Sequence, residues 1–162
     1  MNFPYTKVID FPKHQKRERL LPWIRFGIFN PKSSYNILYP LGLVDSGSEI
    51  TFITYEFAEN LGFDIKKGKK VEVVGVGGGK IDVFLHEVGF QIGDSSKEKP
   101  IIYKSLAAFT YGDFPSSMPQ QTAILGTLGF FEYLDVTFRY PREIIIESKI
   151  EFKKRMILKK TQ

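Results

Sequence analysis

The stretch Leu43-Val44-Asp45-Ser46-Gly47-Ser48 decides how the rest of the chain is read. Two β-forming residues run into an aspartate, and the chain then turns through small residues. An aspartate on such a turn at a strand end keeps its carboxylate within reach of the next backbone N–H groups. On its own, the string is also that of an ordinary Asx-turn. Its surroundings separate the two readings.

On the N-terminal side, Ile24, Phe26 and Ile28 alternate with Arg25 and Gly27, predicting a half-buried strand that starts near Leu21. Residues 30–34 form a turn, and 35–44 return as a second strand in which Pro40 sets a bend or an edge. That strand delivers Asp45. On the C-terminal side, Ile50-Thr51-Phe52-Ile53 leave the turn as a short strand. Thr54 is then placed to cap a two-turn helix, with Glu56 near its positive end, Phe57, Ala58 and Leu61 inward, and Gly62 as the stop.

Further along, residues 71–76 and 81–92 are strand-like and flank Gly75-Val76-Gly77-Gly78-Gly79-Lys80. A glycine-rich loop that cradles phosphate must be followed by a helix. Here a strand follows, so the stretch is read as a hairpin with a bare, mobile tip. Residues 93–100 are a polar turn, 101–109 a strand, and 112–121 an irregular loop carrying Pro115 and Pro119. Ile124-Leu125-Gly126 comes next, then an apolar helix over 128–134 interrupted by Gly129, and a hairpin of 135–140 with 143–147 through Pro141-Arg142. The domain is expected to span 21–147, between a partly ordered basic arm (1–20) and a basic tail (148–162) whose pattern fits strand and helix equally.

Composition narrows the chemistry. With 162 residues, 43% hydrophobic and 15% aromatic, the chain suits one strand-rich domain with a single core. It has no cysteine, which rules out disulfides and thiolate metal sites, and only two histidines, His14 and His86, too few for a histidine metal cluster or a triad. No cofactor is expected. No apolar run is long enough to cross a bilayer, and the first residues lack the apolar core of a signal peptide, so a cytoplasmic protein without a membrane partner is expected. The net charge of +5 could attract an anion, but the lysine clusters carry few interleaved aromatics and read as solvated faces, not a nucleic-acid surface.

Gly42-Leu43-Val44-Asp45-Ser46-Gly47-Ser48, the short strand after it, the glycine-tipped hairpin and the distant Ile124-Leu125-Gly126 together resemble the retropepsin-like aspartic peptidases, the single-lobed relatives of pepsin. The resemblance covers about residues 21–147. It implies an all-β fold, a closed barrel or sandwich with one or two short helices and a flap hairpin. It also implies an endopeptidase in which Asp45, Ser46 and Gly47 form the catalytic loop, with Ser46 bracing two such loops across a dimer. Ser48, Glu49, Gly77, Gly78 and Gly79 would meet a peptide or protein substrate, and Ile124, Leu125 and Gly126 would support the loop from beneath. Three positions depart from the viral pattern: Ser46 stands where threonine is commoner, Ser48 where alanine is usual, and Thr127 where arginine follows the triplet.

Peptide hydrolysis by carboxylates needs one group to take a proton from water and another to give one to the scissile carbonyl. The chain holds one Asp-Ser-Gly, so a complete pair requires two chains about a two-fold axis. Two rival readings belong to other classes: an inactive interaction module on the same fold, and a basic nucleic-acid-binding β-domain.

Overall fold

The computed structural model describes residues 1–8, 18–74, 78–93, 99–110 and 120–149. The first half of the chain forms β1 (Asn2–Pro4), β2 (Thr6–Val8), β3 (Arg19–Leu21), β4 (Trp23–Arg25), β5 (Gly27–Asn30), β6 (Ser33–Leu38), β7 (Leu41–Val44) and β8 (Phe52–Thr54). Helix α1 (Tyr55–Asn60) and a single 3-10 turn (Ile65–Lys67) follow. The second half forms β9 (Lys69–Val74), β10 (Lys80–Ile92), β11 (Ile101–Thr110), β12 (Ala123–Leu125), β13 (Leu134–Arg139) and β14 (Glu143–Ser148). None of the helices among the described residues is long and apolar enough to cross a membrane.

Most strands join one nine-stranded sheet in the order β4-β7-β12-β8-β11-β10-β5-β6, with β9 also paired to β10. The sheet is a half-barrel whose ends approach each other where the Phe26 N–H donates to Pro40 O and the Arg25 guanidinium to Tyr39 O. Its spine is the thirteen-residue β10, which pairs with β11 along most of its length, with β9 on its first half and with β5 on its second. The alternation around residue 26 sets the core. Ile24, Phe26 and Ile28 are all at most 2% exposed, beside Phe90, Phe109, Leu125 and Phe130. Pro40 splits the expected 35–44 strand into β6 and β7, since proline gives the ladder no N–H.

Helix α1 starts after Thr54, but the threonine side chain does not cap it, and its buried hydroxyl has no partner among the described residues. The other end closes as expected. Gly62, at φ +74°, and Phe63 return their N–H groups to Glu59 O and Ala58 O, the double bond of a Schellman end.

Two expectations are corrected. Part of the 1–20 arm is built into sheets: β1 pairs with β14, β2 with β3, and Met1 exchanges two 2.8 Å backbone bonds with Ile146. Three-residue strands broken by Pro4 carry too little alternation to be seen in sequence. The other correction is at 128–134, which is not helical. There the N–H groups of Phe131 and Glu132 reach back five residues to Gly126 O and Thr127 O, and Gly129 sits at φ +97°. Residues so rich in Leu, Phe and Tyr look helical because they are apolar, yet they form a coil of turns that buries Phe130 and Leu134. The tail from 150 onward lies outside the described residues, as does the basic run of the arm.

Tyr103 holds this coil against β11. Its hydroxyl donates to Gly129 O at 3.0 Å, and its ring stacks between Phe90 and Tyr133. Burial, and after it the neighbouring Tyr133, push the phenol well above its usual range, so it stays a neutral donor at ordinary pH. Tyr103→Phe keeps the stack but strands Gly129 O, and should lower stability by about 1 kcal/mol in urea unfolding.

Candidate active site

Strand β7 points its chain at the site with Val44 buried and Asp45 emerging half-buried, while Ser46 and Gly47 are exposed. Three backbone N–H groups at the exit find carbonyl partners. Val44 N–H donates to Pro22 O, Asp45 N–H to Leu125 O at 3.1 Å, and Ser48 N–H closes the turn on Asp45 O. The Gly47 N–H donates to Asp45 Oδ1 at 2.9 Å, so the expected Asx-turn is there. Among the described residues Oδ2 accepts no hydrogen bond and the Ser46 hydroxyl has no partner. Among the described residues one oxygen is therefore held and the other is unengaged.

The loop from 45 to 50 is clamped by a segment 80 residues away in sequence. Strand β12 lies between β7 and β8, parallel to the first (Ile124 opposite Leu43, Leu125 opposite Val44) and antiparallel to the second. Beyond it, Thr127 and Leu128 donate to Ser48 O and Glu49 O, and Thr51 N–H donates to Leu128 O, each within 2.9 Å. Ser48 turns its hydroxyl inward to Ile50 O at 2.8 Å, so it braces its own loop; Glu49 stays exposed.

Gly126 is the point of closest approach. A Cβ there would strike Ile50 O and sit 2.7 Å from Ser48 O, both backbone atoms with no freedom to yield. Opposite it, the buried Thr51 hydroxyl accepts the Gly126 N–H at 3.1 Å and faces Gly126 O at 3.5 Å. Thr51 is a residue that sequence reasoning missed, because a threonine among β-formers looks like any strand residue. Thr122 is a second, its hydroxyl taking the Leu41 N–H at 3.0 Å at the start of β7.

Beside the loop, Ile50, Phe52 and Ile124 share an apolar cluster with Val71, Val73, Val83 and Leu85. The inner face of the β9–β10 hairpin thus packs against the flank of the Asp45 loop. The hairpin's outer face is ionic, with Lys70–Asp82 and Lys80–Glu72 pairs at 2.7 Å. Gly78 (φ +81°) and Gly79 stand in open space near its tip, and Gly77 lies outside the described residues. Among the described residues no three His, Cys, Asp or Glu side chains gather to hold a metal ion. His86 is tied to Ile65 O at 2.9 Å, as a strand histidine with a satisfied bond should be, and His14 lies outside the described residues.

Thr51→Val should cost about 1–3 kcal/mol, because it leaves the buried Gly126 N–H without an acceptor. Gly126→Ala should cost at least as much, through backbone displacement at Ser48 and Ile50. Urea unfolding reads both, and amide shifts should place the displacement at 45–50. A Ser46→Ala change, which removes no bond within the chain, should leave stability within about 0.5 kcal/mol.

No protein-family model matches this sequence, and no curated protein does. Among solved structures, the chain is similar to a retropepsin-like aspartic protease from Rickettsia conorii at a TM-score of 0.50 and 17% identity, over 76% of this chain and 89% of that one. A second similarity is to the EIAV protease in complex with an inhibitor, at a TM-score of 0.40 and 22% identity, over 66% of this chain and 82% of that one. The all-β half-barrel with Asp45 at the end of β7 and β12 threaded beside it is a retropepsin-like fold.

Proposed function

We infer that the protein is an aspartic endopeptidase that hydrolyses peptide bonds in a peptide or protein substrate, with a pair of Asp45 side chains contributed by two copies of the chain. The observation that carries this reading is the Asp45 loop itself. Its carboxylate has one oxygen held by Gly47 N–H and the other unengaged among the described residues, on a loop clamped by backbone bonds to 125–128, in a retropepsin-like fold.

One carboxylate cannot be donor and acceptor in the same step. Two carboxyl groups in contact share a single proton, the arrangement for which aspartic proteases are the standing example. The ionised partner takes a proton from water as its oxygen adds to the scissile carbonyl, while the protonated partner gives its proton to the carbonyl oxygen. Collapse of the tetrahedral species returns a proton to the leaving amine, and no cofactor enters. The exposed Ser46 hydroxyl, unpartnered among the described residues, is available to bond across the two-fold axis; Gly47 lets the second loop approach. Ser48 and Glu49 would border the substrate. The β9–β10 hairpin would close over it as a flap, with its apolar face toward the cleft.

Asp45→Asn, nearly isosteric on an exposed turn, should fold normally and lose peptide hydrolysis; full activity in the folded variant would overturn the reading, and a folded dimer inactive in both forms would favour the interaction module. When wild-type and Asp45→Asn chains are refolded as an equal mixture, about a quarter of randomly paired dimers keep both aspartates. Activity should drop to about that fraction, provided a tagged partner confirms exchange, whereas independent monomers would retain about half. The rate should be bell-shaped in pH, falling both where the shared proton is lost and where a second is gained.

The flap makes a separate prediction. Replacing Gly78 and Gly79 by Ala should impair turnover more than folding, since a tip that opens and closes needs backbone angles that Ala resists, Gly78 already being at φ +81°. Unchanged kinetics with a large stability loss would make the hairpin a structural turn.

A further inference from the structure

Away from the Asp45 loop, the chain forms a cavity of about 250 Å³ between the turn after β5, the end of α1 and the middle of β10. None of its lining residues belongs to 45–50. The volume equals that of about eight liquid waters. It falls just short of the roughly 300–1,000 Å³ of pockets that take drug-sized ligands. An occupant would be about the size of one amino acid.

Four charged side chains line it. Lys67 and Asp64 pair with each other at 3.3 Å. Lys32 and Glu87 line the same space, and among the described residues neither has an ion-pair partner. The remaining polar groups are largely committed. Asn30 donates to Leu61 O and accepts from Lys32 N–H, and the His86 Nε2–H is spent on Ile65 O. Pro31 and the ring of Phe63, edge-on to His86, supply apolar wall. One unengaged cation and one unengaged anion over an apolar wall select a ligand that carries both charges. A simple anion would meet Glu87 as well as Lys32, and a simple cation Lys32 as well as Glu87, so each gains one attraction and one repulsion.

We propose that this cavity binds a free amino acid with an apolar side chain, its ammonium toward Glu87, its carboxylate toward Lys32 and its side chain against Phe63 and Pro31. The site does not involve Asp45, so the proposal stands or falls separately from the peptidase reading. Its test is an amide-shift titration of the full chain with L-phenylalanine, to about 20 mM, well past a millimolar Kd. Saturable shifts are expected at Gly62, Phe63, His86 and Glu87, with 45–50 unmoved. N-acetylphenylalanine and phenethylamine, each lacking one charge, should bind at least about threefold more weakly. Glu87→Gln and Lys32→Met alter exposed side chains without partners, so both variants should fold, and each should weaken phenylalanine by a similar factor. In Glu87→Gln, N-acetylphenylalanine should no longer bind more weakly than phenylalanine. Absence of saturable shifts, equal binding of the singly charged analogues to the wild-type chain, or shifts centred on 45–50 would each overturn the proposal.

Discussion

The insertion of β12 between β7 and β8 is the constraint on which the rest of the structure depends. Strands β7 and β8 are neighbours in sequence, joined by the loop that carries Asp45, yet they do not pair with each other. Each pairs instead with β12, so the loop must bridge the width of a strand. A bridge of that kind has no ladder of its own. Its Asp45 N–H, Ser48 O and Glu49 O bond to Leu125, Thr127 and Leu128, and the Thr51 hydroxyl holds Gly126 N–H beside it. Buried backbone groups without partners are costly, so these bonds decide the path of the loop. The position of the carboxylate follows from that path; among the described residues Asp45 makes no ion pair.

What the sequence displays and what it hides follow from the range of the forces involved. The Asx-turn at Asp45 is local: Asp, Ser and Gly at successive positions suffice, and Gly47 N–H lands on Oδ1 as expected. Strands β10 and β11 are long enough for alternation to show. The support of the loop by Ile124-Leu125-Gly126 was legible only through the resemblance, since nothing within the triplet says which distant strand it joins. Thr51 was invisible for the same reason: its meaning lies in a bond across 75 residues. The error at 128–134 has a different origin. Apolar content was taken for helical periodicity, whereas Gly129 in the left-handed region and carbonyls accepting from five residues on make a packed coil. The terminal strands failed because three residues with a proline carry almost no pattern, and their pairing with β14 is again non-local.

The hairpin of β9 and β10 divides its two faces by chemistry. One carries Val71, Val73, Val83 and Leu85 toward the loop, and the other sets Glu72 opposite Asp82 with a lysine beside each. Directly opposed like charges disfavour a register, and the diagonal lysines offset them only in this one. Each pair is exposed and contributes at most about 1 kcal/mol. Their use is in alignment: a slip by one residue would turn one strand's apolar face to solvent and carry each lysine to the other face from its acidic partner.

Threading one strand between two that precede it also fixes an order of events. While the chain is being made, β7 and β8 emerge with the gap between them unfilled, and the strand that fills it is synthesised some seventy residues later. Contacts so far apart in sequence are slow to form, and until they do the edges of β7 and β8 are open to wrong partners. The Asp45 loop is accordingly among the last parts of the molecule to acquire its shape. A chain interrupted before residue 125 has every residue of the Asp-Ser-Gly turn but none of the bonds from Leu125, Thr127 and Leu128 that clamp it.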